Sequence, residues 1–171
     1  MGETHPDPVI SQVLDEQSQH HETRKQLFGK LEQHLGRPVV SFFTSFKHPV
    51  IVENADADML EGVLQKLDLS SGLALLISSP GGDALAAERI VNVCRSYSRT
   101  GEYWAIVPSK AKSAATMICF GASKIVMSAT SELGPVDPQV AIFEEGVTKW
   151  FSAYNIVKSY DDLFERAVKE E

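Results

Sequence analysis

The chain has 171 residues, 43% hydrophobic and 23% charged, which suits one globular α/β-sized domain with a real core and excludes low-complexity and collagen-like readings. Sixteen basic residues against twenty-three acidic ones give a net charge of −7, which argues against a surface that holds a phosphate backbone, so no nucleic-acid partner is expected. Cys94 and Cys119 are too few and too far apart for a disulfide framework or a cysteine zinc site, and both read as small buried hydrophobes.

The first thirty residues carry no apolar block, and no run approaches the roughly 18 apolar residues of a membrane span. Neither a secretory leader nor a span is expected, and a cytoplasmic protein with reduced thiols follows from that reading. Residues 8–35, with Val9, Ile10, Val13, Leu14, Leu27, Phe28 and Leu31 among many polar residues, predict one or two exposed amphipathic helices. After Gly36, Arg37 and Pro38, the run of Val39, Val40, Phe42, Phe43 and Phe46 predicts a strand bounded by His48 and Pro49. Residues 56–67 predict a helix capped by Asn54 or Asp56, and the short apolar run 73–77 a buried parallel strand. A helix over 84–97, a strand over 103–107, a short buried helix ended by Gly121 and a strand over 124–127 follow. From Thr148 to Lys169 the pattern is again helical. This alternation predicts an α/β domain over 36–171 with a largely parallel sheet, preceded by an N-terminal helical extension over 1–35.

In an open α/β sheet a ligand sits beyond the carboxyl ends of the strands, which directs attention to the loops after Ser78 and after Val107. The first is Ser79-Pro80-Gly81-Gly82-Asp83. Adjacent glycines let the backbone approach closely and aim N–H groups at an anion or oxyanion, though the same residues also make a plain tight turn. Their spacing is neither a dinucleotide fingerprint nor a phosphate loop. The second loop puts Ser113 at the start of an apolar helix, where it serves either as an N-cap or as a nucleophile beside the free amide of Ala114. Asp137, between Pro135 and Pro138, is either a turn residue or a carboxylate held stiffly in a site. No spacing suggests a metal or an organic cofactor.

Together these loops resemble a known family. Ser79-Pro80-Gly81-Gly82 after an apolar strand, then Lys112-Ser113-Ala114-Ala115-Thr116-Met117 thirty residues on, is similar to the Clp and signal-peptide-peptidase branch of the Clp/crotonase-like fold. Within it the chain most resembles the serine dehydrogenase proteinase family, whose hallmark is echoed by Ser131-Glu132-Leu133-Gly134-Pro135-Val136-Asp137-Pro138-Gln139. The resemblance runs over residues 36–167. It implies a parallel sheet with helices on its faces, a serine peptidase with Ser113 as nucleophile, oxyanion donors at Gly81 or Gly82 and at Ala114, and Asp137 as the triad carboxylate.

A serine nucleophile needs a base, commonly a histidine oriented by a carboxylate. All five histidines, His5, His20, His21, His34 and His48, precede Ser113. The resemblance implies a histidine in a C-terminal portion beyond Glu171, and the helical pattern still running at the last residues suits a chain truncated there. Relatives with a serine and lysine pair point instead to Lys149, with Lys158 next, although both also read as solvated surface lysines. The expected substrate is a peptide or protein, including the tail of a membrane protein, and the expected assembly is a homo-oligomer. Two alternatives stand beside the peptidase: a catalytically inactive oligomerising or binding module of the same fold, and a crotonase-type acyl-CoA enzyme.

Overall fold

Short runs of aliphatic residues between turn-forming segments produce strands, and amphipathic runs between them produce the helices that cover those strands. The computed structural model describes residues 8–47, 50–137, 139–144 and 146–169. His48 and Pro49, expected to bound the first strand, and Pro138 lie outside the described residues, as does His5. In chain order the elements are α1 (Pro8–Leu35), β1 (Val39–Phe43), α2 (Asn54–Leu64), β2 (Leu73–Ser78), α3 (Ala84–Tyr97), β3 (Tyr103–Val107) and β4 (Lys110–Ala111). Then come α4 (Ala114–Phe120), β5 (Lys124–Met127), β6 (Glu132–Leu133), β7 (Gln139–Glu144), β8 (Val147–Ser152) and α5 (Ala153–Lys169).

The central sheet has the order β1-β2-β3-β5 and every pairing in it is parallel. Side chains of a strand alternate between faces, and here both faces are apolar. Val40, Phe42, Leu73, Leu75, Ile77, Tyr103, Ala105 and Val107 face one core, shared with Leu60 and Leu64 of α2, Ile90 and Cys94 of α3, and Ile118 of α4. Val39, Ala74, Ile106 and Trp104 face the other, covered by Phe28, Leu31 and Leu35 of α1. Those three lie on one stripe of α1, so the C-terminal part of the expected extension forms a layer of the domain. The Arg37 guanidinium, at the turn from α1 into β1, stacks 3.5 Å over the Trp104 ring at the rim of this second core.

Several elements differ from expectation for local reasons. The N-terminal segment is one continuous helix. Strand β1 ends at Phe43, leaving Phe46 exposed in the following loop. Helix α2 is capped by Glu53, while Asp56 acts from inside the first turn, its Oδ2 accepting the Glu53 N–H at 2.9 Å. The largest difference lies after Gln139. The helix expected from Thr148 begins only at Ala153, because 147–152 pairs antiparallel with 139–144 as a hairpin whose turn holds Gly146 at φ 80°. A glycine between two short runs rich in β-branched and aromatic residues is a hairpin signal that the helical spacing of the aromatics obscured.

Cys94 and Cys119 are both fully buried, as expected, on the adjoining helices α3 and α4. Burial pushes each thiol up to about 12, so both stay neutral across the physiological range and have almost no thiolate to react. Iodoacetamide at pH 8 is therefore expected to leave both unmodified in the folded protein and to modify both in urea. Stoichiometric alkylation of the native protein, read by intact mass, would contradict the packing described.

Candidate active site

Strand β2 hands its chain directly to the first glycine loop, and a second set of backbone bonds ties that loop to the segment before Ser113. Ser79 N–H donates to Lys110 O at 3.0 Å, and Lys112 N–H donates to Ser79 O at 3.0 Å, a parallel bridge centred on Ala111. The turn at 80–82 is thereby carried alongside 112–114. At Gly81, φ is 103°, and a Cβ would stand 2.5 Å from Lys112 O, 2.7 Å from Ser113 Cβ and 3.1 Å from Ala114 N. Only glycine accepts both the dihedral and the approach. The two loops singled out by their sequences are in direct contact.

The peptide between Gly81 and Gly82 is held from its other side. Val52 N–H donates to Gly81 O and Asp83 N–H donates to Val52 O, both at 2.9 Å. In a trans peptide the carbonyl and the following N–H point in opposite directions, so fixing Gly81 O on Val52 turns the Gly82 N–H away from it. That N–H donates to no acceptor among the described residues. The Gly81 N–H, by contrast, is already used, donating to Ser79 Oγ at 3.1 Å. Of the two glycine amides named by the sequence, Gly82 holds the free one.

Ser113 occupies the N-cap position of α4 with φ 50° and ψ −122°, and among the described residues it is the one non-glycine residue with positive φ. Such a conformation costs on the order of 1–3 kcal/mol and persists only where its surroundings hold it. It also removes the side chain from capping: Ser113 makes no cap hydrogen bond, and its hydroxyl has no partner among the described residues. Ala115 N–H donates to Lys112 O at 2.9 Å, and both Thr116 and Met117 N–H reach Ser113 O. Ala114 N–H is left without an acceptor among the described residues, as the first helical amides are. The site thus presents an uncommitted hydroxyl on a strained turn, an uncommitted amide at Ala114 next to it in sequence, and another at Gly82 in the facing turn.

The third loop is fastened to the back of this turn. Strand β6 pairs in parallel with β4, Lys110 opposite Glu132 and Ala111 opposite Leu133. Gly134 N–H donates to Ala111 O at 2.8 Å, and a Cβ on Gly134 would meet Lys112 Cα at 3.0 Å. Buried Thr116 joins the pieces, its Oγ1 donating to Ala111 O at 2.8 Å and lying 3.2 Å from the Gly134 N–H that it accepts. At the surface, Lys112 Nζ meets Glu132 Oε2 at 2.8 Å, and its hydrogen bond holds the Glu132 carboxyl below the usual carboxylate range. Val52 and Thr116 were not legible as site residues, because neither backbone pairing nor a single threonine inside a helix carries a sequence signature.

The remaining candidates stand elsewhere. Asp137 is half-buried, and its Oδ1 accepts the Ser152 hydroxyl at 3.0 Å, while Ser152 Oγ in turn accepts Asn155 N–H at the start of α5. Lys149 lies on β8 rather than on a helix, opposite Ile142, with its Nζ 2.8 Å from Glu144 Oε2 and a side chain 52% exposed. Lys158 is exposed on α5. No hydrogen bond or ion pair joins Asp137, Lys149 or Lys158 to Ser113 among the described residues.

Comparison with known proteins bears on this constellation. A family model described as ClpP-like SDH-type serine proteinase matches residues 46–160, a span holding all of these residues. The uncharacterized proteins MJ0137 and MJ1495 of Methanocaldococcus jannaschii are 33% and 30% identical over 105 and 106 residues. Those matches cover 61% and 62% of this chain but 33% and 32% of the relatives, so the chain spans about a third of the length of the curated relatives it matches. Among solved structures, a mutant of the membrane-bound stomatin-specific protease 1510-N superposes with a TM-score of 0.53 at 17% identity, over 78% of this chain and 62% of that one. At that identity the likeness concerns the fold.

The knot at Thr116 generates a stability prediction. Thr116→Val keeps the shape and removes the hydroxyl's bonds to Ala111 O and Gly134 N–H, which remain bonded to each other, at a cost of about 0.5–1.5 kcal/mol. Urea unfolding followed by circular dichroism should register that loss, and an unchanged midpoint would mean that Thr116 does not hold the third loop.

Proposed function

Because the chain belongs to the ClpP-like SDH-type serine proteinase family, we propose that it contributes the nucleophile and oxyanion hole of a serine peptidase, with Ser113 as the attacking group. The observation that carries this reading is the contact of Gly81, the residue before the free Gly82 amide, with the strained Ser113 and the Ala114 amide. Ser113 Oγ adds to the scissile carbonyl carbon, its proton passes to a base, and the carbonyl oxygen becomes an oxyanion accepting from Gly82 N–H and Ala114 N–H. Collapse of the tetrahedral intermediate expels the amine with that proton. Water then adds to the acyl-serine ester by the same route and restores the hydroxyl.

The base comes from outside the immediate surroundings of Ser113. Within this chain Lys149 is the first candidate, followed by Lys158; either must leave the solvent, and Lys149 must also leave Glu144, before it accepts a proton. Asp137 belongs to the proposed set as the carboxylate that orients the base once the Ser152 contact yields. A histidine from another part of the protein is the competing donor of this function. A second reading, in which the domain binds peptide without cutting it, is supported by the Ser113 hydroxyl having no hydrogen-bonded base among the described residues.

The proposed substrate is an extended protein segment, the tail of a membrane protein included. No described helix of this chain is long and apolar enough to cross a membrane. A cytoplasmic setting belongs to the same proposal. So does a homo-oligomer: Phe143, Val147, Tyr160, Leu163 and Phe164 on the hairpin and α5 are all exposed, large apolar side chains that a second copy would cover.

A fluorophosphonate probe tests the nucleophile. Labelling of the wild-type protein that disappears in Ser113→Ala is expected, and labelling that survives the substitution removes Ser113 from the mechanism. Labelling of Lys149→Ala at the wild-type rate removes Lys149 as base, and no labelling of the wild type at any pH favours the binding module. For the assembly, light scattering at micromolar concentration should return a multiple of 18.8 kDa, and a monomeric mass would refute the oligomer.

A further inference from the structure

The residue that opens the glycine loop has more than a turn to make. Ser79 is fully buried, yet its side-chain oxygen is not spent on the helix or the sheet. It accepts the Gly81 N–H at 3.1 Å and the Thr44 hydroxyl at 2.7 Å, Thr44 itself being anchored by its N–H on Ser78 O at 3.1 Å. The peptide that carries the free amide of Gly82 and the peptide before it are each fastened once: the one between Gly81 and Gly82 through Val52, the one between Pro80 and Gly81 through Ser79 Oγ. Gly81 lacks a Cβ and sits at φ 103°, so its own dihedral preferences do not hold this turn. External acceptors do.

We propose that Ser79, set by Thr44, is a positioning residue of the oxyanion hole: by engaging the Gly81 amide it leaves Gly82 as the one donor of this turn and fixes its direction. This rests on the reading of Ser113 as nucleophile and adds a residue that the reading does not require. Without the Ser79 hydroxyl, Gly81 and Gly82 would both present free amides on a flexible pair of glycines. Neither would be held where charge develops, and preorganisation of that donor is what oxyanion stabilisation depends on.

Two measurements on the full chain test this, one independent of activity. In protein labelled with 15N-glycine, the Gly81 amide should exchange with solvent deuterium far more slowly than Gly82, and Ser79→Ala should erase that difference at a temperature well below the variant's thermal midpoint. With fluorophosphonate, Ser79→Ala should lower the maximal labelling rate about tenfold to a hundredfold with little change in the probe concentration giving half that rate, a loss short of deleting a donor outright. Thr44→Val, which leaves Ser79 in place but unset, should lower it less in the same direction. Equal exchange of Gly81 and Gly82 in the wild type, or labelling of Ser79→Ala at the wild-type rate, overturns the proposal. A wild type that is never labelled defeats the nucleophile reading instead, and the exchange pattern still decides the role of Ser79.

Discussion

Between Gly81 and Ser113 there is no room for a side chain: a Cβ on Gly81 would fall 2.7 Å from Ser113 Cβ and 2.5 Å from Lys112 O. That close approach depends on the bridge between Ser79 and Ala111, which carries the end of β2 past the sheet and lays it against the loop from β3. The geometry of the serine, the direction of the Gly82 amide and the seating of the third loop all follow from it. The two positions are far apart in sequence, and the parallel pairing of β2 with β3 is what keeps them together.

Strain at Ser113 is bearable because the turn is held from several sides. Backbone bonds fix 110–112 to Ser79 in front and to Gly134 behind, and Thr116 ties the first turn of α4 to both Ala111 and Gly134. The Lys112 and Glu132 ion pair is largely exposed, and exposed pairs contribute little in water, so it trims the geometry rather than supporting it. The buried backbone and hydroxyl bonds supply the restraint, since their alternatives would be unsatisfied polar groups in a dry interior.

The hairpin of β7 and β8 and the helix α5 behave differently. Their apolar side chains are exposed almost throughout, and the chemistry they carry, Asp137 by way of Ser152 and Lys149 by way of Glu144, is engaged within that region. The turn that carries Ser113 is assembled by one domain core, whereas Asp137 and Lys149 are engaged on surfaces this core does not cover.

Much of this was readable in the chain itself. Alternation of apolar strands with amphipathic helices determined a parallel α/β sheet, and the Pro-Gly-Gly turn, the serine before Ala114 and the Gly134 loop marked the three segments that meet. Local sequence also made Ser113 a good N-cap, a position it takes without a cap bond from its hydroxyl, and made 148–152 look helical, which cross-strand pairing overruled. Those outcomes, the choice of Gly82 over Gly81 as the free amide, and the roles of Val52, Ser79 and Thr116 were decided only in three dimensions. Periodicity and turn chemistry are short-range properties that a chain carries wherever it goes, whereas the direction of one peptide N–H depends on which distant backbone atom already holds its neighbour.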